Sequence, residues 1–212
     1  MKIFVLHCSK LVERKKHIIE QFKKNSIVDY EFIEKYDANK ITEEESDLFI
    51  DTYKKPTMSL HLKHFYVYKE IAEKYESGLI FEDDVILCED FMTFLQLYLS
   101  ELNQYDMLFI GSCCNLRIDK DRINPNQHIY RKSLYPSSLE GDGASRCCDS
   151  YIVTNKCAKK LCEYISNRIN KISKPVDYWL NDAARDNQFE VFWAEPPIVI
   201  QGSECGLFHS SH

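Results

Sequence analysis

The sequence predicts an α/β fold, one domain with a mainly parallel central sheet flanked by helices. Three observations predict it. Short apolar runs rich in Ile, Val and Phe alternate with segments of helical periodicity, the order that builds a parallel sheet covered on both faces. The 212 residues are 44% hydrophobic and 13% aromatic, which gives a real core and excludes a disordered chain. No internal repeat, low-complexity tract or linker divides the chain, so residues 1–212 read as a single domain.

The elements follow in order. "KIFVLHC" predicts a strand. "VERKKHIIEQFKKN" carries Ile18, Ile19 and Phe22 at helical spacing on a basic helix. "YEFIEKY" predicts a second strand. "TEEESDLFID" opens with a capping box, Thr42 and Glu45. "SLHLKHFYVYKEIAEKYESG" predicts a long helix closed by Gly78. "LIFEDDVIL" has the apolar flanks of a buried strand. "EDFMTFLQLYLSEL" predicts a helix capped near Asp90, with Phe91, Phe94, Leu95 and Tyr98 turned inward. "YDMLFIG" is the next strand. From Cys113 to Arg146 the periodicity breaks down. "DSYIV" predicts a strand, "TNKCAKKLCEYISNRI" a helix capped by Thr154, and "VDYWLNDAARDN" a short helix after Pro175. "FEVFWAEPPIVIQ" is extended and interrupted by proline.

Composition excludes several classes. A net charge of −6 leaves no electrostatic footprint for nucleic acid. The first apolar run is too short for a signal peptide, and no stretch is long enough to span a membrane. The nine cysteines include no C-x-x-C spacing, which excludes zinc ribbons and thioredoxin-like motifs. Vicinal pairs are poor disulfide partners for each other. The expectation is a soluble, cytoplasmic protein with reduced thiols, most of them small core residues.

The chemistry concentrates in "LIFEDDVIL". Three adjacent acids, Glu82, Asp83 and Asp84, end a buried strand. Their repulsion and desolvation cost free energy unless something positive is near. In α/β sheets, ligands bind beyond the carboxyl ends of the strands. One reading has the acids capping the next helix and facing water. The other has a hard divalent cation with oxygen ligands, Mn²⁺ or Mg²⁺, shared with a phosphate-bearing substrate.

Motifs along nearly the whole chain resemble glycosyltransferase family 25, which includes bacterial lipooligosaccharide galactosyltransferases and collagen galactosyltransferases. "KLVERKK" is similar to the family's "R-S-x-E-R-R" turn, with Lys10, Glu13, Arg14 and Lys15 matching and Ser9 in place of the usual Asp. "YDANK" resembles "V-D-G", with Asp37 matching and Asn39 replacing Gly. "HLKHFYVYKEI" is similar to the "L-S-H-x-x-x-W" helix: His64 matches, Lys63 replaces Ser and Tyr68 replaces Trp. "LIFEDDV" matches "L-E-D-D-V". "YDMLFIG", ending at Gly111, matches "Y-D-x-L-x-L-G". "SYIVTNKCAKKL", "PVDYWL" and "PPIVIQ" match the later motifs in the same order.

The resemblance implies a GT-A type (Rossmann-like) fold, a UDP-sugar donor, a divalent metal and inversion at the anomeric carbon. Residues 1–112 become the nucleotide-sugar half, and 113–212 the acceptor-side half with the C-terminal tail. Asp84 is the expected metal ligand. Glu82 and Asp83 are expected to hold the ribose or metal-bound waters, and the three acids can trade roles, so Glu82 is also a metal candidate. Arg14 and Lys15 follow the first strand and either meet phosphate or form a solvated helix face. Asp37 either accepts the uracil imide hydrogen or is a turn residue. Gly111 is placed against the donor. His64 reads as a satisfied core histidine. Inversion needs a base, and the candidates are Asp177, Asp149 and Glu204, with N-capping as the alternative at Asp177. His209, in the tail "QGSECGLFHSSH", either completes the metal shell or belongs to a floppy terminus. "SLYPSSLEGDGASR" reads as an acceptor-side lid or an ordinary loop.

The donor sugar is expected to be galactose, with glucose next, and the acceptor a glycan, a lipid-linked glycan or a protein. Small size and the missing signal point to an enzyme of the bacterial kind, or of a large DNA virus. Two other functions remain open. One is a metal-dependent phosphohydrolase or nucleotidyltransferase. The other is a catalytically weak UDP-binding relative.

Overall fold

The computed structural model describes residues 1–112, 117–118, 120–132 and 147–209. Nine strands and six helices are formed among them. In chain order they are β1 (Lys2–Leu6), α1 (Val12–Lys24), β2 (Tyr30–Ile33), α2 (Glu43–Ser46), α3 (Lys55–Lys74), β3 (Ser77–Glu82), β4 (Val85–Leu87), α4 (Phe91–Ser100), β5 (Met107–Phe109), β6 (Ile129–Arg131), β7 (Ser150–Thr154), α5 (Asn155–Ser166), α6 (Val176–Asp186), β8 (Val191–Ala194) and β9 (Val199–Gln201).

Seven strands form one sheet in the order β2-β1-β3-β7-β5-β8-β6, and β4 pairs with β9 in a second, two-stranded sheet. β1 runs parallel to β2 and β3, and β5 parallel to β8. β7 runs antiparallel to both β3 and β5, and β6 antiparallel to β8. Five of the seven strands therefore point one way, the mainly parallel sheet that the sequence predicts.

The pleat sorts the core into two layers, because successive side chains leave opposite faces. Phe4, Ile80, Phe109, Tyr151 and Val153 face α3, α5 and α6. Ile3, Val5, Leu79, Phe81 and Ile152 face α1 and α4. α1 buries Arg14, Ile18, Gln21 and Phe22, one stripe of the helix. The capping box at Thr42 and Glu45 is formed, and Thr154 Oγ1 accepts the Cys157 N–H at 3.3 Å. Among the described residues, no helix is long and apolar enough to cross a membrane.

Several elements differ from the sequence reading. "LIFEDDVIL" is two strands of different sheets, joined by a turn at Asp83–Asp84. Gly78 does not close α3. The helix ends at Lys74, and Gly78 lies in β3, where an added Cβ would stand 2.4 Å from Ile71 Cδ1. The glycine serves close strand-to-helix packing rather than a helix stop. Phe94 is exposed, unlike Phe91, Leu95 and Tyr98. Asp90 caps α4 with a left-handed backbone and no side-chain bond. β6 forms within the stretch where periodicity fails, recruited by β8. Cys8, Cys88, Cys148, Cys157, Cys162 and Cys205 are free thiols, in line with mostly reduced cysteines, and Cys147 is the disulfide-bonded exception among the described residues. Its vicinal neighbour Cys148 is free, so that bond runs elsewhere, a pairing that the vicinal argument did not weigh. The segment "SLYPSSLEGDGASR" lies outside the described residues.

Candidate active site

The direction of β7 gathers the site. Because β7 is antiparallel to β3, its amino end meets the carboxyl ends of β1 and β3. Leu6 pairs with Glu82 and Phe81 with Ser150. The Glu82 N–H donates to the Asp149 carbonyl at 2.8 Å, and the Ile110 N–H donates to the Ser150 carbonyl at 3.2 Å. His7, the acidic turn, Asp149 and Gly111 thus share one edge of the sheet.

Asp83 is committed to the protein. His7 Nδ1–H donates to its Oδ2 at 2.7 Å, the Cys8 N–H donates to the same oxygen at 3.3 Å, and Arg14 Nη1 donates to Oδ1 at 2.8 Å. Burial pushes its pKa up, but the bonds from His7 and Arg14 outweigh burial and hold the carboxyl below its ordinary range. A ribose or water contact at Asp83 would share oxygens that already accept these bonds.

Asp84 is different. It is 2% exposed, and its Oδ1 is buried without a hydrogen-bond partner. Its Oδ2 lies 3.7 Å from Arg14 Nη1. Its charge acts on both Glu82 and Asp149. Burial pushes Glu82 well above the usual carboxylate range, and Asp84, Asp149, Asp83 and Asp177 reinforce that shift. Burial raises Asp149 to about 7, opposed by the Ser150 hydroxyl, which donates to Oδ2 at 2.9 Å, and assisted by Asp84 and Glu204. Asp149 Oδ1 is a second buried oxygen without a partner.

Gly111 touches this carboxylate by having no side chain. A Cβ there would stand 2.2 Å from Asp149 Oδ2 and 2.4 Å from Ser150 Oγ. Asp177 lies in the first turn of α6, whose N-cap is Pro175. Burial raises its pKa against the backbone N–H groups of Tyr178 and Asp177 itself.

The tail packs beside the turn. The Gly202 N–H donates to the Asp84 carbonyl at 2.7 Å, and the Leu207 N–H to the Gly202 carbonyl at 2.8 Å. Phe208 lies beneath the Arg14 guanidinium at 5.3 Å, and Arg14 Nη2 donates to the His209 carbonyl at 2.6 Å. His209 itself is exposed. Among the described residues, no three His, Cys, Asp or Glu side chains are grouped so as to hold a metal ion.

Asp37 is a buried acceptor rather than a free one. Lys63 Nζ donates to its Oδ1 at 2.7 Å, and the Ser9 hydroxyl and N–H donate to Oδ2 at 2.5 and 3.3 Å. Lys15 turns away to Glu34 and the Phe32 ring. His64 is a core residue, bonded through Nδ1 to the Tyr151 hydroxyl at 2.8 Å, and burial depresses it to about 3.

Sequence reasoning missed two groups at this edge. His7 orients Asp83, and Lys63 neutralises Asp37. The available signals were the position of His7 directly after β1 and a lysine among aromatic residues in α3. A cleft of about 360 Å³ opens beside them, lined by Leu6, His7, Leu11, Arg14, Lys63 and Asp83 among others.

An α/β sheet with an acidic turn at the end of a central strand is the architecture the motifs led one to expect of a sugar transferase. The chain belongs to glycosyltransferase family 25 (LPS biosynthesis protein), whose pattern matches residues 1–180. It is 27% identical over 118 residues to a procollagen lysyl hydroxylase and glycosyltransferase of Acanthamoeba polyphaga mimivirus; the match covers 51% of this chain and only 12% of that protein. In shape it is similar to an active-site mutant of LgtC, with a TM-score of 0.48, 12% identity and coverage of 91% of this chain and 72% of the other. A glycosyltransferase involved in glycosylation of the major capsid of PBCV-1 gives a TM-score of 0.49 and 12% identity, with 95% and 94% covered. Shape likenesses at this level say nothing about substrate.

Proposed function

We propose that the protein transfers a hexose, galactose or else glucose, from a UDP-sugar to a hydroxyl of a glycan or protein acceptor, with inversion and with Mn²⁺ or Mg²⁺. One observation carries this reading. Asp84 keeps a buried oxygen, Oδ1, without a hydrogen-bond partner, and its charge disfavours ionisation of both Glu82 and Asp149. Such a cluster suits a hard cation held by one or two carboxylates and otherwise by water and substrate oxygens, as Mg²⁺ and Mn²⁺ are commonly held. When bound, the cation supplies Lewis-acid stabilisation of the leaving diphosphate.

The chain's own residues divide the remaining work. Asp84, with Glu82 as a possible second ligand, would hold the cation. Arg14 keeps Asp83 ionised and in place and closes the tail over this edge, which fits a site that must exclude water during transfer. Asp177 or Asp149 would accept the acceptor's hydroxyl proton. Asp149, raised to about 7, has a proton affinity matched to that task near neutral pH. Asp177, less deeply buried in the first turn of α6, is the one an acceptor can reach more easily. A protein-linked acceptor is in keeping with the name of the mimiviral relative.

The test is UDP-galactose and UDP-glucose turnover with Mn²⁺, with chelator, and with Asp84→Asn. The expected result is turnover that needs metal and falls by at least about 10²-fold in the variant. Turnover unaffected by chelator would refute the metal-dependent reading.

A further inference from the structure

The cleft of about 360 Å³ beside the acidic turn has an unusual floor. Lys63 lines it, yet this lysine is 3% exposed. Burying an ammonium is costly unless it is paired and hydrogen-bonded. Two acceptors meet that need, Asp37 Oδ1 at 2.7 Å and the His7 carbonyl. Asp37 is fixed in turn by Ser9 through its N–H and hydroxyl. The ammonium is thus neutralised and held in one position, between the end of β1 and the turn after β2.

An ammonium has three N–H donors and no acceptor capacity. Two of the three are used within the protein. The third has no acceptor among the described residues and belongs to a group that lines the cleft. Leu6, Leu11, Pro56 and Leu60 give the cleft apolar walls, and Cys8, Lys10 and Ser59 line it as well. Apolar walls beside a donor anchored in place are the chemistry of a slot for a planar heterocycle. The same cleft is lined by Arg14, Glu82 and Asp83, so a ligand in it reaches the acidic turn.

We infer that Lys63 selects the nucleobase of the donor, by giving this third N–H to a keto oxygen on the base edge. The inference rests on the nucleotide-sugar reading above and goes beyond it by naming the determinant. Uracil presents a keto oxygen at position 4. Cytosine presents an amino group there, which would set donor against donor and leave a buried ammonium N–H unpaired. Cytosine is otherwise close in shape, so UDP against CDP isolates this one contact. Asp37 is thereby a positioning residue for Lys63, not the acceptor for the base.

Calorimetric titration of the full chain with UDP and with CDP, in Mn²⁺, tests the assignment. UDP should bind about 10- to 100-fold more tightly, the range that an unpaired buried hydrogen-bonding group commands. Lys63→Met should weaken UDP and leave CDP nearly unchanged, so that the preference disappears. Because that variant strands the Asp37 carboxylate, Lys63→Met with Asp37→Asn is measured beside it, after thermal unfolding has shown that it folds. A preference for UDP that survives in the folded double variant overturns the inference. So does equal binding of UDP and CDP by the unaltered protein, which would leave the donor reading standing. No binding of either nucleotide overturns both.

Discussion

Arg14 and Asp83 form a buried ion pair, with Nη1 2.8 Å from Oδ1 and both side chains less than 10% exposed. The same guanidinium spans from the acidic turn to the tail, since Nη2 holds the His209 carbonyl. Removing one partner of a buried pair leaves an uncompensated charge and typically costs about 3–5 kcal/mol. His7 still serves Asp83 when Arg14 is lost, so Arg14→Met should destabilise towards the lower end of that range. Urea unfolding measures it. A loss below about 1 kcal/mol would mean that the pair is structurally idle. Limited proteolysis should also cut the tail faster in this variant than in the unaltered protein, because its anchor is gone.

Gly111 gives a second prediction. Its missing side chain leaves room for the Asp149 carboxylate, which a Cβ would meet at 2.2 Å. That distance is too short for contact, and the obstacle is a short, buried, hydrogen-bonded side chain. Gly111→Ala must therefore displace Asp149 or the end of β5. Overpacking of this kind typically costs about 1–3 kcal/mol. If Asp149 acts on substrate, turnover should fall more than stability alone explains. Comparing kcat with the melting temperature of the same variant separates the two effects. An alanine variant with normal melting and normal kcat would show that the edge yields easily.

Much of this fold is legible in the sequence, because local rules decide it. The capping box at Thr42 and Glu45 and the cap at Thr154 are written within four residues. The apolar runs of β1, β3 and β7 are buried on both faces and say so. The acidic turn stands out because three acids have no place inside such a strand. Other parts depend on partners far along the chain. His7 meets Asp83 across 76 residues, and Lys63 meets Asp37 across 26. In isolation a lysine in a helix reads as surface. Likewise, "DSYIV" announces a strand but not its direction, and it is the antiparallel direction that brings Asp149 to the acidic turn. β6 is three residues long and exists because β8 offers an edge.

The buried histidines predict how stability responds to acid. Burial depresses His64 to about 3 and His61 to about 4, from an ordinary 6.5. Between those values and 6.5 the unfolded chain binds protons that the folded chain refuses. Stability therefore falls as pH drops below about 6.5, by up to about 1.4 kcal/mol per pH unit for each histidine. Asp149, raised to about 7, acts in the opposite sense, favouring the fold at lower pH. A single variant isolates the histidine. His64→Gln can still bond Tyr151 but does not titrate, so its stability deficit relative to the unaltered protein should shrink from pH 7 to pH 4. Denaturant unfolding at four or five pH values gives the difference directly. A deficit that stays constant over that range would show that His64 is not held neutral by the fold.

The last prediction concerns the proton acceptor. Two acids beside the cluster are candidates, and their surroundings differ. Asp149 is 0% exposed, with one oxygen bonded by Ser150 and the other unpartnered. Asp177 is half-buried in the first turn of α6, and that helix already has Pro175 as its N-cap. Asp177→Asn keeps shape and can still accept from the backbone N–H of Tyr178, so it should leave folding and UDP binding intact. It cannot take a proton as a carboxylate does. If Asp177 is the base, transfer to acceptor should fall by about 10²- to 10⁴-fold, the usual share of general base catalysis, with UDP affinity unchanged. Asp149→Asn should behave differently. It removes a charge from the repelling cluster, which would lower the pKa of Glu82 and change metal or UDP affinity as well as rate. Parallel measurement of UDP affinity and transfer rate in both variants therefore distinguishes the roles. Near-normal transfer by Asp177→Asn, with a pure rate loss in Asp149→Asn, would move the base to Asp149. Normal transfer by both would pass the role to Glu204, the remaining acid that acts electrostatically on Asp149.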